Sequence, residues 1–323
     1  MLKISIIGTG AWGTALGMVA HRAGAFVTLI GHRLDTITDL EKNRHMEGFP
    51  HIRIPKEITL TLSLESVKTA DILILAIPAQ KMRGLLETLK PLLSDKTILM
   101  IASKGIEQGT GFLMSEVADE VLGVCPLCVL SGPNFAHEVA ENLPTATTMG
   151  YRGDVDIKRV LTGLSNKNFR IYPNDDLIGV QTAGAIKNVL AIACGIVQAQ
   201  GLGENARASI ISRGLQEIAR LGVAKGAYLK TFLGLSGVGD VMLTCGGTHS
   251  RNFKFGLHIG EGKEPSSFTA TVEGVPTAEA LHDLAQTLKI DMPISEMVYK
   301  ILYTKMPVVQ AIDILLSRPA EQE

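Results

Sequence analysis

Ile4-Ser5-Ile6-Ile7-Gly8-Thr9-Gly10-Ala11-Trp12-Gly13-Thr14-Ala15-Leu16 decides the fold of the N-terminal half. A short apolar run turns through three glycines into an Ala/Leu-rich stretch with helical patterning. The glycines of the G-x-G-x-x-G spacing serve different purposes. Gly8 permits the tight turn, Gly10 lets the backbone come up to a diphosphate, and Gly13 lets the helix pack close on the strand. A helix beginning at about Trp12 presents unpaired N–H groups and the positive end of its dipole to the phosphates. The motif alone is a weak signal, since a flexible glycine loop satisfies it too. Its context is stronger: the helical pattern ends near Gly24, and a second apolar strand, Phe26-Val27-Thr28-Leu29-Ile30, follows where a βαβ unit requires one. The expectation is a dinucleotide-binding fold, with Gly8, Gly10, Ala11, Trp12 and Gly13 among the cofactor contacts.

The end of that second strand carries cofactor information. An NAD-preferring site usually places Asp or Glu about twenty residues beyond the first glycines, where it accepts from the ribose 2′-OH and repels a 2′-phosphate. Here the slot holds Gly31, followed by His32 and Arg33. That favours NADPH, with NADH as second candidate and Arg33 as the phosphate partner. The competing reading makes Arg33 a solvated helix-start residue and gives the acidic role to Asp35.

Further along, residues 34–45 read as a helix, 45–50 as a loop carrying Phe49, and Ile58-Thr59-Leu60 as a strand. Asp71-Ile72-Leu73-Ile74-Leu75-Ala76-Ile77-Pro78 is a continuous apolar run of the kind buried on both faces of a parallel sheet. A helix over about 80–89 leads to the strand Thr97–Ala102, which delivers Ser103-Lys104-Gly105. Ligands of doubly wound sheets sit outside the carboxyl ends of strands, so Lys104 reads as a ligand contact, against the alternative of a surface turn lysine. A helix near 111–122 precedes a strand into Leu130-Ser131-Gly132-Pro133-Asn134-Phe135-Ala136, with Pro133 expected at a first helical position. Strands at 145–149 and 169–172 flank a polar helix near 154–164. From Asp176 strand-like runs stop and helical period takes over, apart from a polar tail, Pro319 to Glu323. The expected architecture is an α/β Rossmann-like domain with a mostly parallel sheet, residues 1–179, then an all-α substrate-binding domain, residues 180–323, with a cleft between them.

Composition narrows the class. In 323 residues, 46% hydrophobic content suffices for two sizeable cores, and a net charge of −1 leaves no electrostatic footprint for nucleic acid or an anionic membrane. No apolar run reaches the roughly 18 uninterrupted residues of a membrane span. The first strand begins within three residues of the N-terminus, where a cleaved leader would delete the glycine turn, so the chain reads as cytoplasmic. Of four cysteines, only Cys125 and Cys128 are close; they lie in an apolar stretch with no second ligand pair, which argues for packing residues and no metal.

Three places in the helical half suggest chemistry. Lys187, in Thr182-Ala183-Gly184-Ala185-Ile186-Lys187-Asn188-Val189-Leu190, falls in the first turns of an otherwise apolar helix. Burial and the positive dipole end there both disfavour a cation, which would pull its pKa down towards the range useful for general acid catalysis. A snorkelling structural lysine is the alternative. Asp240 follows a glycine-rich turn at the start of a helix, as a partner for chemistry or simply an N-cap. Ser250-Arg251-Asn252 opens another helix with a hydroxyl, a guanidinium and an amide, an oxyanion cradle or else a capped helix with a solvated arginine.

Taken in order, Gly8–Leu16, Ala102-Ser103-Lys104-Gly105-Ile106-Glu107, Ser131-Gly132-Pro133-Asn134-Phe135-Ala136, Ala183–Val189, Gly239-Asp240, Ser250-Arg251-Asn252 and Val272-Glu273-Gly274 resemble the motifs of bacterial NAD(P)-dependent glycerol-3-phosphate dehydrogenases across essentially the whole chain. The resemblance implies reversible reduction of dihydroxyacetone phosphate to sn-glycerol 3-phosphate, feeding glycerophospholipid synthesis. It implies Lys187 as proton donor and acceptor. Lys104, Gly132, Asn134, Asp240, Ser250, Arg251 and Asn252 match substrate contacts. Trp12, His32, Arg33, Phe49, Lys104, Ala136, Arg251 and Glu273 match the cofactor side. Asn134 stands where the family commonly has Ser or Thr. Related 3-hydroxyacid dehydrogenases share the plan and are separated by substrate, whereas sugar-nucleotide dehydrogenases need a nucleophilic cysteine, and Cys245 has no activating neighbour in sequence. A dinucleotide-sensing regulator would carry a further partner module, which the sequence lacks. The apolar helical half points to a homodimer as the expected assembly.

Overall fold

The structure, a computed structural model, describes residues 1–319, so of the polar tail only Pro319 lies among the described residues. The chain divides into two units, residues 1–104 with 113–181, and residues 105–112 with 182–323.

In the first unit the apolar runs become strands because continuous Ile, Leu and Val can be covered on both faces of a sheet. The strands are β1 (Lys3–Ile7), β2 (Phe26–Ile30), β3 (His45–Met46), β4 (Phe49–Arg53), β5 (Thr59–Thr61), β6 (Ile72–Leu75), β7 (Ile98–Ile101), β8 (Leu127–Ser131), β9 (Thr145–Arg152) and β10 (Phe169–Asn174). The helices are α1 (Ala11–Arg22), α2 (Leu34–Asn43), α3 (Met82–Leu89), α4 (Met114–Leu122), α5 (Ala136–Ala140) and α6 (Ile157–Leu164). Eight strands form one sheet in the order β10-β9-β8-β7-β6-β1-β2-β5, parallel except for the β8/β9 pair. The chain leaves β1 for β2 on one side and returns to β6 on the other, Ile4 pairing with both Val27 and Ile72. This is the topological switch point at which such sheets bind ligands.

Two readings of this half change. Residues 45–50, expected as a loop, contain the antiparallel β3/β4 pair, in which Met46 opposes Phe49 across Glu47-Gly48, with Gly48 at a φ of 74°. A glycine able to adopt the left-handed conformation closes the hairpin. Pro133 is not the first helical residue: it lies in a bend, and α5 begins at Ala136 behind the extended Phe135.

The second unit is helical: α7 (Leu177–Ala199), α8 (Gly203–Ala224), α9 (Asp240–Cys245), α10 (Arg251–Gly260), α11 (Gly274–Leu288), α12 (Pro293–Tyr303) and α13 (Val308–Leu316). α7, which begins inside the first unit, is long and apolar enough to cross a membrane but is buried along its apolar window, as the core helix of a folded domain is. α10 runs against it at backbone distance. A Cβ on Gly256 would stand 2.1 Å from the Ile192 carbonyl oxygen, and one on Gly195 would stand 2.2 Å from that of Phe253. Only glycines permit this approach, and it brings the start of α10 beside Asn188. The buried Glu217 of α8 accepts from the Ile294 and Ser295 N–H groups at 2.6 and 3.1 Å, serving the start of α12 in place of a capping residue, and burial pushes its carboxyl up.

Residues 105–112, which sequence order attaches to the first unit, belong with the second. Gln108 donates to Glu279, and a Cβ on Gly111 would be 3.3 Å from Leu284, both partners on α11.

Candidate active site

The glycine turn is a cradle that leaves no room for a side chain at Gly8 and Gly13. Gly8 has a φ of 118°, and a Cβ there would lie 2.3 Å from the Ala76 carbonyl oxygen; one on Gly13 would lie 1.9 Å from the Gly8 carbonyl oxygen. Gly10 holds the N-cap position of α1 without a side-chain cap, and no acidic residue occupies the first turn, so the helix end is left to a ligand. The buried Trp12 indole N–H has no hydrogen-bond partner among the described residues, and Ala11 and Trp12 pack on the sheet's core. A Cβ on Gly10 would meet only the Glu47 carboxylate, at 3.4 Å. A fixed backbone cavity, an uncapped positive helix end and an orphaned donor fit a dinucleotide diphosphate.

Around this cradle, Gly31 is buried, and a Cβ there would stand 2.7 Å from Ile37, so an acidic residue in this slot would have to displace a core side chain. His32 and Arg33 are exposed. Arg33 precedes α2 and its Nε donates to Asp35 Oδ1 at 3.1 Å; that bond, with the Thr36 N–H, holds the Asp35 carboxyl below the usual carboxylate range. Phe49 stacks on His137, centroids 5.0 Å apart, and Ala136 packs at the start of α5.

At the carboxyl ends of β6 to β8, Ser103 Oγ accepts from Ile77 N–H at 3.2 Å and donates to the Ile77 carbonyl at 2.6 Å, tying the strand ends together. Lys104 Nζ then reaches the Gly132 carbonyl at 3.4 Å. Asn134 donates to the Ala146 carbonyl at 3.1 Å, while its Oδ1 is buried without a hydrogen-bond partner among the described residues. This amide is therefore half satisfied.

In the helical unit, Lys187 is 7% exposed and its Nζ donates to Asp240 Oδ1 at 2.5 Å and to Thr244 Oγ1 at 2.8 Å; Thr244 Oγ1 in turn lies 3.3 Å from Asp240 Oδ1. Asp240 is wholly buried and is the first residue of α9, behind a distorted π turn at Leu235–Gly239; the N-cap position is held by Gly239, and the Asp240 carboxylate accepts from the lysine. The helix-dipole reading of Lys187 also fails. α7 starts at Leu177, five residues earlier than the sequence suggested, so Lys187 lies in the helix interior, where the terminal dipole has faded. Against the ammonium lie a counter-charge and a hydroxyl.

One position further along α7, Asn188 Oδ1 accepts from Asn252 Nδ2 at 2.9 Å, and Asn252 Oδ1 accepts from the Gly274 N–H at 2.9 Å. This chain joins α7, α10 and α11; Arg251, exposed at the head of α10, and Glu273, which precedes α11, are its sequence neighbours. Ser250 caps α10 by accepting from the Phe253 N–H at 3.3 Å. Behind the lysine, hydrogen bonding with Cys194, and then burial, push the Cys245 thiol well above its ordinary value, which does not suit a nucleophile. Among the described residues no group of three His, Cys, Asp or Glu side chains is placed to hold a metal ion.

Two family models account for nearly the whole chain: residues 3–155 match the NAD-dependent glycerol-3-phosphate dehydrogenase N-terminus, and residues 176–313 its C-terminus. The chain belongs to the NAD-dependent glycerol-3-phosphate dehydrogenase family. It is 39% identical over 330 residues to the glycerol-3-phosphate dehydrogenase [NAD(P)+] of Carboxydothermus hydrogenoformans, covering 100% of this chain and 98% of that one. The Zymomonas mobilis enzyme of the same name is 43% identical over 327 residues, with 99% and 94% covered. The crystal structure of glycerol-3-phosphate dehydrogenase from Coxiella burnetii superposes with a TM-score of 0.94 at 36% identity, covering 98% and 99%. The protein is an NAD(P)-dependent oxidoreductase of this family.

For a member of this family, Thr244 and Asn188 are the polar residues that sequence reasoning passes over. Thr244 is findable, because four residues beyond Asp240 on a helix lies the same face. Asn188 is not, because its partner is 64 residues away.

Proposed function

We propose that the protein catalyses the reversible, NAD(P)H-dependent reduction of dihydroxyacetone phosphate to sn-glycerol 3-phosphate, supplying glycerophospholipid synthesis. The buried ammonium of Lys187, held by Asp240 and Thr244, carries this reading. A dinucleotide held by the Gly8–Gly13 cradle would supply the hydride that reduces the ketone carbon. As the carbonyl oxygen becomes an alkoxide, Lys187 Nζ gives it a proton; in the reverse direction the neutral amine takes that proton back. Asp240 and Thr244 fix where Nζ points and compensate its charge, so the proton is delivered along one line. Lys104 contributes positive charge to the substrate contacts. Arg251 and the Ser250 hydroxyl, which still has its own hydrogen to give after capping α10, hold the phosphate with Asn252. Gly132 and Asn134 complete the substrate contacts, and Asn134 Oδ1 is an acceptor awaiting a hydroxyl.

On the cofactor side, Gly8, Gly10, Ala11, Trp12 and Gly13 hold the diphosphate, and Phe49, Ala136, Arg251 and Glu273 are the further cofactor contacts that the resemblance implies. NADPH is preferred over NADH: no acidic side chain stands at Gly31, and His32 with Arg33 meets the 2′-phosphate once Arg33 exchanges its exposed partner Asp35. The chain works as a cytoplasmic homodimer, a setting that keeps its four free cysteines reduced.

Absorbance at the nicotinamide band, with dihydroxyacetone phosphate and each cofactor in turn, tests the proposal. Turnover with higher kcat/KM for NADPH is expected; turnover only with 3-hydroxyacids overturns the substrate assignment. Arg251→Ala should raise KM for the phosphorylated substrate, and an unchanged KM removes it from the phosphate site.

A further inference from the structure

Away from Lys187 and the start of α10, a cavity of about 370 Å³ opens between α11, α12 and α13, at the small end of the roughly 300–1,000 Å³ of ligand pockets. Leu281, Ala285, Met292 and Met297 form a buried apolar floor. The rim is charged and unbalanced, with Lys289, Lys300 and Arg318 against Asp291 and Glu296. Each carboxylate already serves a rim cation: Asp291 accepts from Arg318, and Glu296 lies 3.3 Å from Lys300 and 2.5 Å from His282 Nδ1. The His282 ring is clamped on Tyr299, centroids 3.8 Å apart. An incoming cation would have to take a carboxylate from its partner, whereas an incoming anion meets Lys289, the one rim cation not matched by a carboxylate among the described residues, and shares Lys300 and Arg318 with theirs. An apolar floor under such a rim suits a ligand with two ends. None of the lining residues belongs to the catalytic cluster, and α11 carries Leu281 and Ala285 towards one end and Gly274, the donor to Asn252, at the other.

We infer that this cavity is a second ligand site, built for a small amphipathic anion whose phosphate or carboxylate head lies on Lys289, Lys300 and Arg318 and whose short hydrocarbon chain covers the floor. Isothermal titration calorimetry of the full chain with hexyl phosphate, hexanoate and hexanol tests it, repeated on a Lys289→Glu, Arg318→Glu double variant and on Ala285→Met, which fills the floor. At least one of the two anions is expected to bind saturably, the tighter one identifying the head group, with hexanol at least tenfold weaker. Each variant should weaken the anion at least tenfold while kcat stays unchanged. Absence of saturable binding by both anions, equal binding of hexanol, or binding that persists in both variants overturns the assignment.

Discussion

The glycine cradle of the first unit and the Lys187 cluster of the second meet the same requirement, a place for charge in a low-dielectric setting, by opposite means. The cradle is backbone: Gly8, Gly10 and Gly13 lie within six residues, and shape alone, with the dipole of α1, makes it anion-binding. The lysine cluster is side chain: its cation and carboxylate come from α7 and α9, 53 residues apart, and neither could be buried without the other. Geometry that is local in the chain tolerates change around it and fails only when its own space is filled. A buried ion pair fails when either member goes.

Substitutions in the two regions break or sharpen that contrast. Lys187→Ala should lower kcat by roughly 10²–10⁴-fold, the range of lost general acid–base catalysis, while the Kd for NADPH, measured by fluorescence titration, stays put because the cradle is untouched. Near-normal turnover would remove Lys187 from the chemistry. Asp240→Ala strands a buried ammonium and should cost about 3–5 kcal/mol in urea denaturation, far more than an exposed ion pair could. Filling space comes next. Helix propensity alone predicts that Gly256→Ala stabilises by up to about 1 kcal/mol, but the 2.1 Å approach to the Ile192 carbonyl predicts a loss of about 1–3 kcal/mol, and the sign of the change in Tm decides between them. Gly13→Ala should incur a similar penalty and weaken NADPH binding as well. The smallest effect belongs to Glu47, a carboxylate at the mouth of the cradle. Glu47→Gln should tighten NADPH by about two- to fivefold at low salt, an effect that fades as salt screens it, and weaker binding would show that Glu47 helps to hold the ligand.

Much of the fold is legible because its signals are short-range. β1, α1 and β2 follow from apolar runs and three glycines, and β6 and β7 from continuous Ile and Leu that only a sheet covered on both faces can bury. Where the structure departs from the local pattern, a neighbour in space overrules it. The β3/β4 pair is too short to show period, α5 starts after Pro133 because Phe135 stays extended, and residues 105–112 follow α11. Lys187 is visible as a charge in an apolar helix, but a nearby helix terminus does not set its state, because α7 begins at Leu177.

By itself the sequence determined the glycine turn, the order of the elements, and which lysine, aspartate and Ser-Arg-Asn triplet to look at, since each of these is written in residues a few positions apart. Only the tertiary structure decided that Asp240 and Thr244 close on Lys187, that Asn188, Asn252 and Gly274 form one hydrogen-bonded chain, and that α7 and α10 touch at Gly195 and Gly256. Those contacts join parts of the chain dozens of residues apart, and distance along the chain carries no record of which polar groups will find each other once water is excluded.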